Sequence, residues 1–221
     1  MKIDILTLFP SMFTNFLSES IIKRALNSNK VMINIHNIRD YSLDPHRKVD
    51  DYPFGGGSGM VLMCEPIFRA VEALKSDDSK VILMSPTGQP FHQNTAVTLS
   101  QEQHLIIICG HYEGFDERIK TLVDLEISIG DFIVTGGELP SMLIIDAVAR
   151  LINGVINKES LVHESFNDSL LDYPNYTKPR IFRGLEVPVV LLSGNHQAIK
   201  KWRQEERIRI TKEKRPDLLK E

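Results

Sequence analysis

Residues 128–150 read SIGDFIVTGGELPSMLIIDAVAR, and this stretch decides the fold. Phe132, Ile133 and Val134 form a short β-rich apolar run, which reads as a strand. Gly136 and Gly137 follow, and a glycine pair lets the backbone turn or approach a ligand closely. Pro140 stands where a helix would begin, since its fixed φ suits a first turn that needs no N–H from it. Leu143, Ile144, Ala147, Val148 and Leu151 then recur at helical spacing. A strand, a glycine loop and a helix in that order form either a tight turn in an α/β core or a cradle for a small ligand.

The pattern repeats upstream. Residues 3–8 read as a strand, 12–26 as a helix with Phe13, Phe16, Leu17, Ile21 and Ala25 on one side, and 31–35 as a second strand. Residues 66–74 read as a helix, 81–84 as a strand, 95–101 as a short helix and 105–109 as a strand. Three buried-type strands thus run into glycine or proline loops: MSPTG (84–88), CGHYEG (109–114) and VTGGELP (134–140). Continuous apolar strands alternating with helices predict a parallel sheet covered on both faces. In such sheets ligands lie outside the carboxyl ends of the strands, so the three loops are expected to converge on one site.

Other segments have a different character. Residues 39–60, RDYSLDPHRKVDDYPFGGGSGM, form a long polar loop, and long loops inside compact domains are usually functional or disordered. Residues 157–179 are polar without period and read as an interdomain connection. The predicted organisation is an α/β domain over 1–157, a linker over 158–178 and a small, mainly helical domain over 179–221, with Asn195 as a helix N-cap.

Composition sets limits. The chain has 221 residues, 42% hydrophobic and 25% charged, with net charge −3, as expected of a globular protein. No apolar run reaches the ~18 residues of a membrane span. The first ten residues, MKIDILTLFP, read as a strand and not as a signal peptide. Cys64 and Cys109 sit in apolar contexts and fit a reducing cytoplasm. Residues 196–221 hold nine Lys/Arg and five Asp/Glu, a net +4 against −7 for the remainder. A basic tail on an acidic body fits a phosphate contact or a solvated helix face.

Familiar chemistries are absent. No G-x-x-x-x-G-K-[ST] or G-x-G-x-x-G pattern supports a P-loop or a dinucleotide fold. No G-x-S-x-G elbow surrounds Ser58, and no H-E-x-x-H or paired C-x-x-C suggests zinc. Asp146 and Arg150 lie four apart on one helix face, as a structural pair or a site pair. His111, Tyr112 and Glu113 follow a buried strand and need partners.

The longer motifs have a family likeness. LFPSMF (8–13), RDY (39–41), HRKVDDYPFGGGSGMV (46–61), SPTGQ (85–89), CGHYEGFDERI (109–119), SIGDFIVTGGELP (128–140), LLDYPNYTKP (170–179) and VLLSGNH (190–196) occur in order over nearly the whole chain. Together they resemble the bacterial tRNA (guanine-N1)-methyltransferases, members of the SPOUT class. The resemblance implies a deep trefoil knot in the α/β domain, against the general avoidance of knots. It also implies a homodimer with its active site between subunits. The methyl donor would be S-adenosylmethionine, and the acceptor N1 of the guanine immediately 3′ of the anticodon in tRNA. Mg²⁺ takes part in the family's reaction, but the sequence shows no ligand set for it.

The same resemblance assigns residues. Donor binding falls to Met84, Ser85 and Pro86, to Gly110, Tyr112 and Glu113, and to Ser128, Ile129, Gly130, Asp131, Phe132, Ile133, Val134, Gly136, Gly137 and Leu139. Asp50, Gly57, Gly59 and His111 would hold the target base. Lys200, Lys201 and Arg203, with Arg207, would contact the tRNA backbone. The family's general base is an aspartate in a D-S-F motif, where this chain has Glu164-Ser165-Phe166; Glu164 is taken as the base, with Asp168 as the alternative. Arg150 matches an arginine beside the target base. His111 stands where some members have arginine. The C-terminal part is short for the family. The competing functions are a non-catalytic RNA-binding protein of the same fold and an enzyme methylating ribose or another base.

Overall fold

The computed structural model describes residues 1–157, 161 and 164–219. The chain divides into two compact units, Met1–Ile156 and a second beginning at Asn157.

The first unit is built on a five-stranded parallel sheet of β1 (Lys2–Thr7), β2 (Met32–Asn37), β5 (Ser79–Pro90), β6 (His104–Ile108) and β7 (Leu125–Ser128), in the order β2-β1-β6-β5-β7. Between β2 and β5 lie β3 (Asp50–Asp51) and β4 (Val61–Leu62), which pair antiparallel as a separate ribbon. The helices are α1 (Thr14–Ser18), α2 (Ser20–Asn27), α3 (Cys64–Leu74), α4 (Gln93–Leu99) and α5 (Glu138–Ala149).

Successive strand residues face opposite sides, so continuous apolar strands feed two cores at once. Ile3, Ile5, Leu105 and Ile107 pack with Phe13, Ala25, Leu99, Ile144 and Val148 on one face. Leu6, Ile106 and Ile108 pack with Ile38, Ile67, Val71 and Ile119 on the other. Asp4 lies on β1 between these apolar positions with none of its surface exposed. It accepts from Asn34 Nδ2 at 2.8 Å and contacts His36 Nε2 at 2.9 Å, His104 Nε2 at 2.7 Å and Lys2 Nζ at 2.7 Å. A buried carboxylate persists where every oxygen is met in this way.

Several elements differ from the sequence-based expectation. The single helix expected over 12–26 is a 3₁₀ turn at Pro10–Phe13 followed by α1 and α2, broken where Glu19 is extended and Ser20 has φ 50°. The break lets Phe13, Ile22 and Ala25 all reach the core, which one continuous helix would not. The loop 39–60 opens with a 3₁₀ turn at Ile38–Tyr41 and contains β3. Strand β5 does not end at Met84: Met84 and Gln89 both pair with Ile127, so residues 85–88 bulge outward. A Cβ on Gly88 would lie 2.5 Å from Ile127 N, so only glycine lets the bulge close against β7.

The expected strand at 132–134 is not formed. The strand is β7, four residues earlier, and Phe132 and Ile133 are exposed in a loop. Their β propensity finds no neighbouring strand edge at that point, and propensity without pairing does not make a strand. Pro140 does lie in the first turn of α5.

In the second unit β8 (Ile181–Phe182) and β9 (Leu185–Glu186) form a hairpin, followed by α6 (Val189–Leu192) and α7 (His196–Lys214). Asn195 caps α7, its side chain accepting from Ala198 N at 3.1 Å. Segment 168–171 is tied to α7: Arg207 pairs with Asp168, and Leu171 N donates to Thr211 Oγ1 at 2.9 Å.

Candidate active site

The loops after β5, β6 and β7 meet in one cleft of about 280 Å³. Met84, Ser85 and Pro86 form one wall. Gly110, His111, Tyr112 and Glu113 form a second, and Ser128, Ile129, Gly130, Phe132, Ile133, Val134, Gly136 and Gly137 close the third. Asp131 and Leu139 are exposed and do not line it. Gly114, Phe115, Ile127, Thr135 and Pro140 also line it and were not assigned to donor binding from the sequence. Phe115 had a usable signal, since an aromatic directly after a polar strand-end loop has few places to go but inward.

The walls are stitched together by backbone. Gly137 N donates to Gly110 O at 2.7 Å, and His111 bridges Gly136. A Cβ on Gly137 would lie 2.6 Å from Gly110 N and 2.7 Å from Cys109 Cα. The glycine is therefore required by a crossing of two chain segments. At Gly136 a Cβ would instead meet Glu138 Oε2 and, at 2.8 Å, His111 Nδ1.

The long glycine loop is fastened to the second wall. Glu113 N donates to Met60 O at 3.0 Å, Leu62 N to Gly114 O at 3.0 Å and Asp116 N to Leu62 O at 2.9 Å. Gly57 and Gly59 have φ of 132° and 80°, a region that favours glycine. Gly59 lies against Glu113, whose Cγ would be 2.5 Å from a Cβ there. Asp50 sits on β3, opposite Leu62. The structure thus brings the 50–60 segment and the 110–116 loop together.

Polar groups on β6, α5 and their flanks have clear physical states. Cys109 is buried and its thiol is pushed far up by burial, so it is an inert packing residue that meets Ser141 Oγ at 3.1 Å. Arg150 does not line the cleft: it is the C-cap of α5, at the opposite end of that helix from Gly137, its N–H bonded to Asp146 O at 3.3 Å. Among the described residues, no group of three or more His, Cys, Asp or Glu side chains is placed to hold a metal ion.

The second unit carries the remaining residues. Glu164 is half-buried in a turn whose neighbour Ser165 accepts from Asp172 N at 2.9 Å. Asp168 is engaged by Arg207, and this hydrogen bond holds its carboxyl below the usual range, which weakens it as a base. Arg207 itself is 4% exposed and also donates to Leu171 O at 3.3 Å. It is a structural cation, not a surface phosphate ligand: the helical spacing that placed it among basic neighbours also turned it inward. Lys200, Lys201 and Arg203 are exposed on α7. Lys201 lies 3.8 Å from Glu205 Oε1, and the Arg203 guanidinium sits 4.6 Å from the Tyr173 ring centre.

Comparison with known proteins adds the deciding observation. A family model described as tRNA (guanine-1)-methyltransferase TrmD matches residues 1–221. The chain belongs to this tRNA (guanine-1)-methyltransferase family. Among curated relatives, the tRNA (guanine-N(1)-)-methyltransferase of Moorella thermoacetica is 56% identical over 225 residues, covering 99% of this chain and 90% of its own. That of Dictyoglomus turgidum is 54% identical over 220 residues, with the same coverages. The Staphylococcus aureus protein of the same name is 56% identical over 222 residues, 99% of this chain and 91% of its own. No helix among the described residues is long and apolar enough to cross a membrane.

Proposed function

We propose that this protein methylates tRNA, transferring a methyl group from S-adenosylmethionine to N1 of the guanine immediately 3′ of the anticodon. The observation that carries the reading is family membership over the full chain. The cleft supports it: three loops of small residues give a concave, mostly apolar site at the carboxyl ends of parallel strands, where ligands of α/β sheets lie. When bound, the donor supplies an electrophilic methyl group on a sulfonium centre. The loops hold it, with backbone groups of 84–86, 110–113 and 128–137 available at close range.

Guanine N1 carries a proton at neutral pH, so a base must take it as the methyl arrives. Glu164 is assigned this role on the motif match, and Asp168 is the weaker base because Arg207 engages its carboxylate and lowers its pKa. Arg150 offsets charge that builds on guanine O6. Asp50, Gly57, Gly59 and His111 hold the base, and Lys200, Lys201 and Arg203 meet phosphates. The basic surface of α7 is thinner than its sequence suggests, since Arg209 is clasped by Glu206 and Glu213.

The finer architecture belongs to the same proposal. A trefoil knot fits the tight crossing of residues 136–137 on 109–110. A homodimer with shared active sites, working in the cytoplasm with Mg²⁺ as an auxiliary, is the arrangement the sequence resemblance implies; no residue is assigned to the metal.

The test uses unmodified tRNA with guanine 3′ of the anticodon, and labelled donor. Labelled 1-methylguanosine among the product nucleosides is expected, with none from a transcript carrying adenine there. Label on ribose or another base sinks the guanine-N1 assignment, and tRNA binding without transfer supports the binding-only reading. Glu164→Ala is expected to lower kcat by about a hundredfold or more, the usual range for a lost general base; unchanged kcat removes Glu164 from the role.

A further inference from the structure

Glu138 opens α5 with 2% of its surface exposed. Its Oε1 accepts from Thr7 Oγ1 at 2.7 Å, and Thr7 Oγ1 in turn accepts from Phe9 N at 2.9 Å. The Phe9 ring packs on the His111 ring with centroids 4.8 Å apart. One carboxylate therefore ties the end of β1 to the start of α5, beside the loop that forms the second wall of the cleft.

The other carboxylate oxygen lies on the side of Gly136 and His111. Glu138 Oε2 and His111 Nδ1 crowd the same point, the place where a Cβ on Gly136 would stand. Among the described residues, His111 Nδ1 is the buried side-chain polar atom that has no hydrogen-bond partner. An orphaned buried nitrogen needs an explanation. Here an acceptor borders the same small space beside Gly136, and a side-chain rotation or one bridging water would join the two.

We propose that Glu138 is a positioning residue for His111: when the donor enters the cleft, Nδ1 carries its proton and donates it in a hydrogen bond to Glu138 Oε2. The bond fixes the imidazole tautomer, leaves Nε2 for the ligand side and locks the 110–114 loop onto the N-terminus of α5. No proton is transferred between the two side chains; only the tautomer and the ring orientation are set. Gly136 is then glycine because this pair occupies the space beside it. The inference rests on the donor-binding reading of the cleft.

The probe is S-adenosylhomocysteine, added to full-length protein labelled with ¹⁵N in histidine. On saturation, the His111 Nδ1 resonance is expected to move from the unprotonated to the protonated range. In Glu138→Gln the carboxamide keeps the volume and the Thr7 contact but removes the charged acceptor. That variant should melt within a few degrees of wild type, show no such movement and bind the probe about tenfold more weakly by calorimetry. A His111 Nδ1 that stays unprotonated in the loaded wild-type protein overturns the inference, as does undiminished affinity in Glu138→Gln. Thr7→Val serves as a second variant: it should weaken binding less than Glu138→Gln, and equal losses would mean that Glu138 acts only through the β1 contact. Absence of any binding to the wild-type protein overturns the donor reading itself, and this inference with it.

Discussion

Two buried carboxylates in the first unit have opposite circumstances. Asp4, within the sheet, meets four side-chain donors from Lys2, Asn34, His36 and His104. The two histidines are held from behind as well, His104 Nδ1 by Ser79 Oγ at 2.7 Å and His36 Nδ1 by Tyr41 OH at 3.2 Å. Glu138, beside the cleft, has Thr7 on one oxygen, while the other borders the same space as the unpartnered His111 Nδ1. A saturated network stabilises one structure and leaves nothing for a ligand. An unsaturated one costs free energy in the resting protein, and it lies where binding can recover that cost.

The contrast can be broken in four ways. The largest effect is expected at Gly137→Ala, where a Cβ collides with backbone on the opposing segment and neither side can move away. A loss of at least about 3 kcal/mol is expected, read as a large drop in melting temperature; near-native stability would mean that the crossing is looser than its 2.7 Å hydrogen bond indicates.

Asp4→Ala comes next. Removing the shared acceptor strands donors from three strands, at a cost of about 3 kcal/mol by urea unfolding, with donor affinity unchanged. If affinity fell instead of stability, the two centres would not be separable.

Acid probes the same centre. Burial pushes the Asp4 carboxyl up, but the bonds from Lys2, His36, Asn34 and His104 outweigh it and hold it at about 2 against an ordinary 3.8. A depressed folded-state pKa contributes stability that is present above the unfolded value and is lost as pH falls through the folded one. Stability should therefore drop by about 2 kcal/mol from pH 3.8 towards about 2, and Asp4→Asn should flatten that part of the curve. An unchanged slope in Asp4→Asn would assign the acid transition elsewhere.

The smallest effect on the fold is expected at Gly136→Ala. Its Cβ meets the movable ends of Glu138 and His111 and no backbone atom nearer than 3.4 Å. Melting should shift little while donor affinity falls at least about tenfold, or roughly 1.4 kcal/mol, by calorimetry. A variant that binds the donor normally would leave Gly136 as an ordinary turn residue.

Much of the cleft was legible because its loops announce themselves. Strand-end runs such as CGHYEG and TGGELP place glycines where parallel strands stop, and the placement rule for α/β sheets does the rest. The misreadings have one cause: local signals without knowledge of neighbours. Phe132, Ile133 and Val134 have strand composition but meet no strand edge. Arg207 has the charge of a phosphate ligand but faces Asp168, 39 residues away on the chain. SPTG looks like a turn after Met84, yet β5 continues past it because β7 accepts the register shift.

The sequence by itself determined the alternation of apolar strands and helices, the positions of the glycine loops and, through the ordered motifs, the family. Period and motif are properties of nearest neighbours along the chain, so they survive without coordinates. Only the tertiary structure decided which glycine tolerates a side chain, which cation is buried and which carboxylate is saturated. Those depend on atoms from segments as distant as Thr7 and Glu138, and burial and hydrogen bonding between them exist only once the chain has closed on itself.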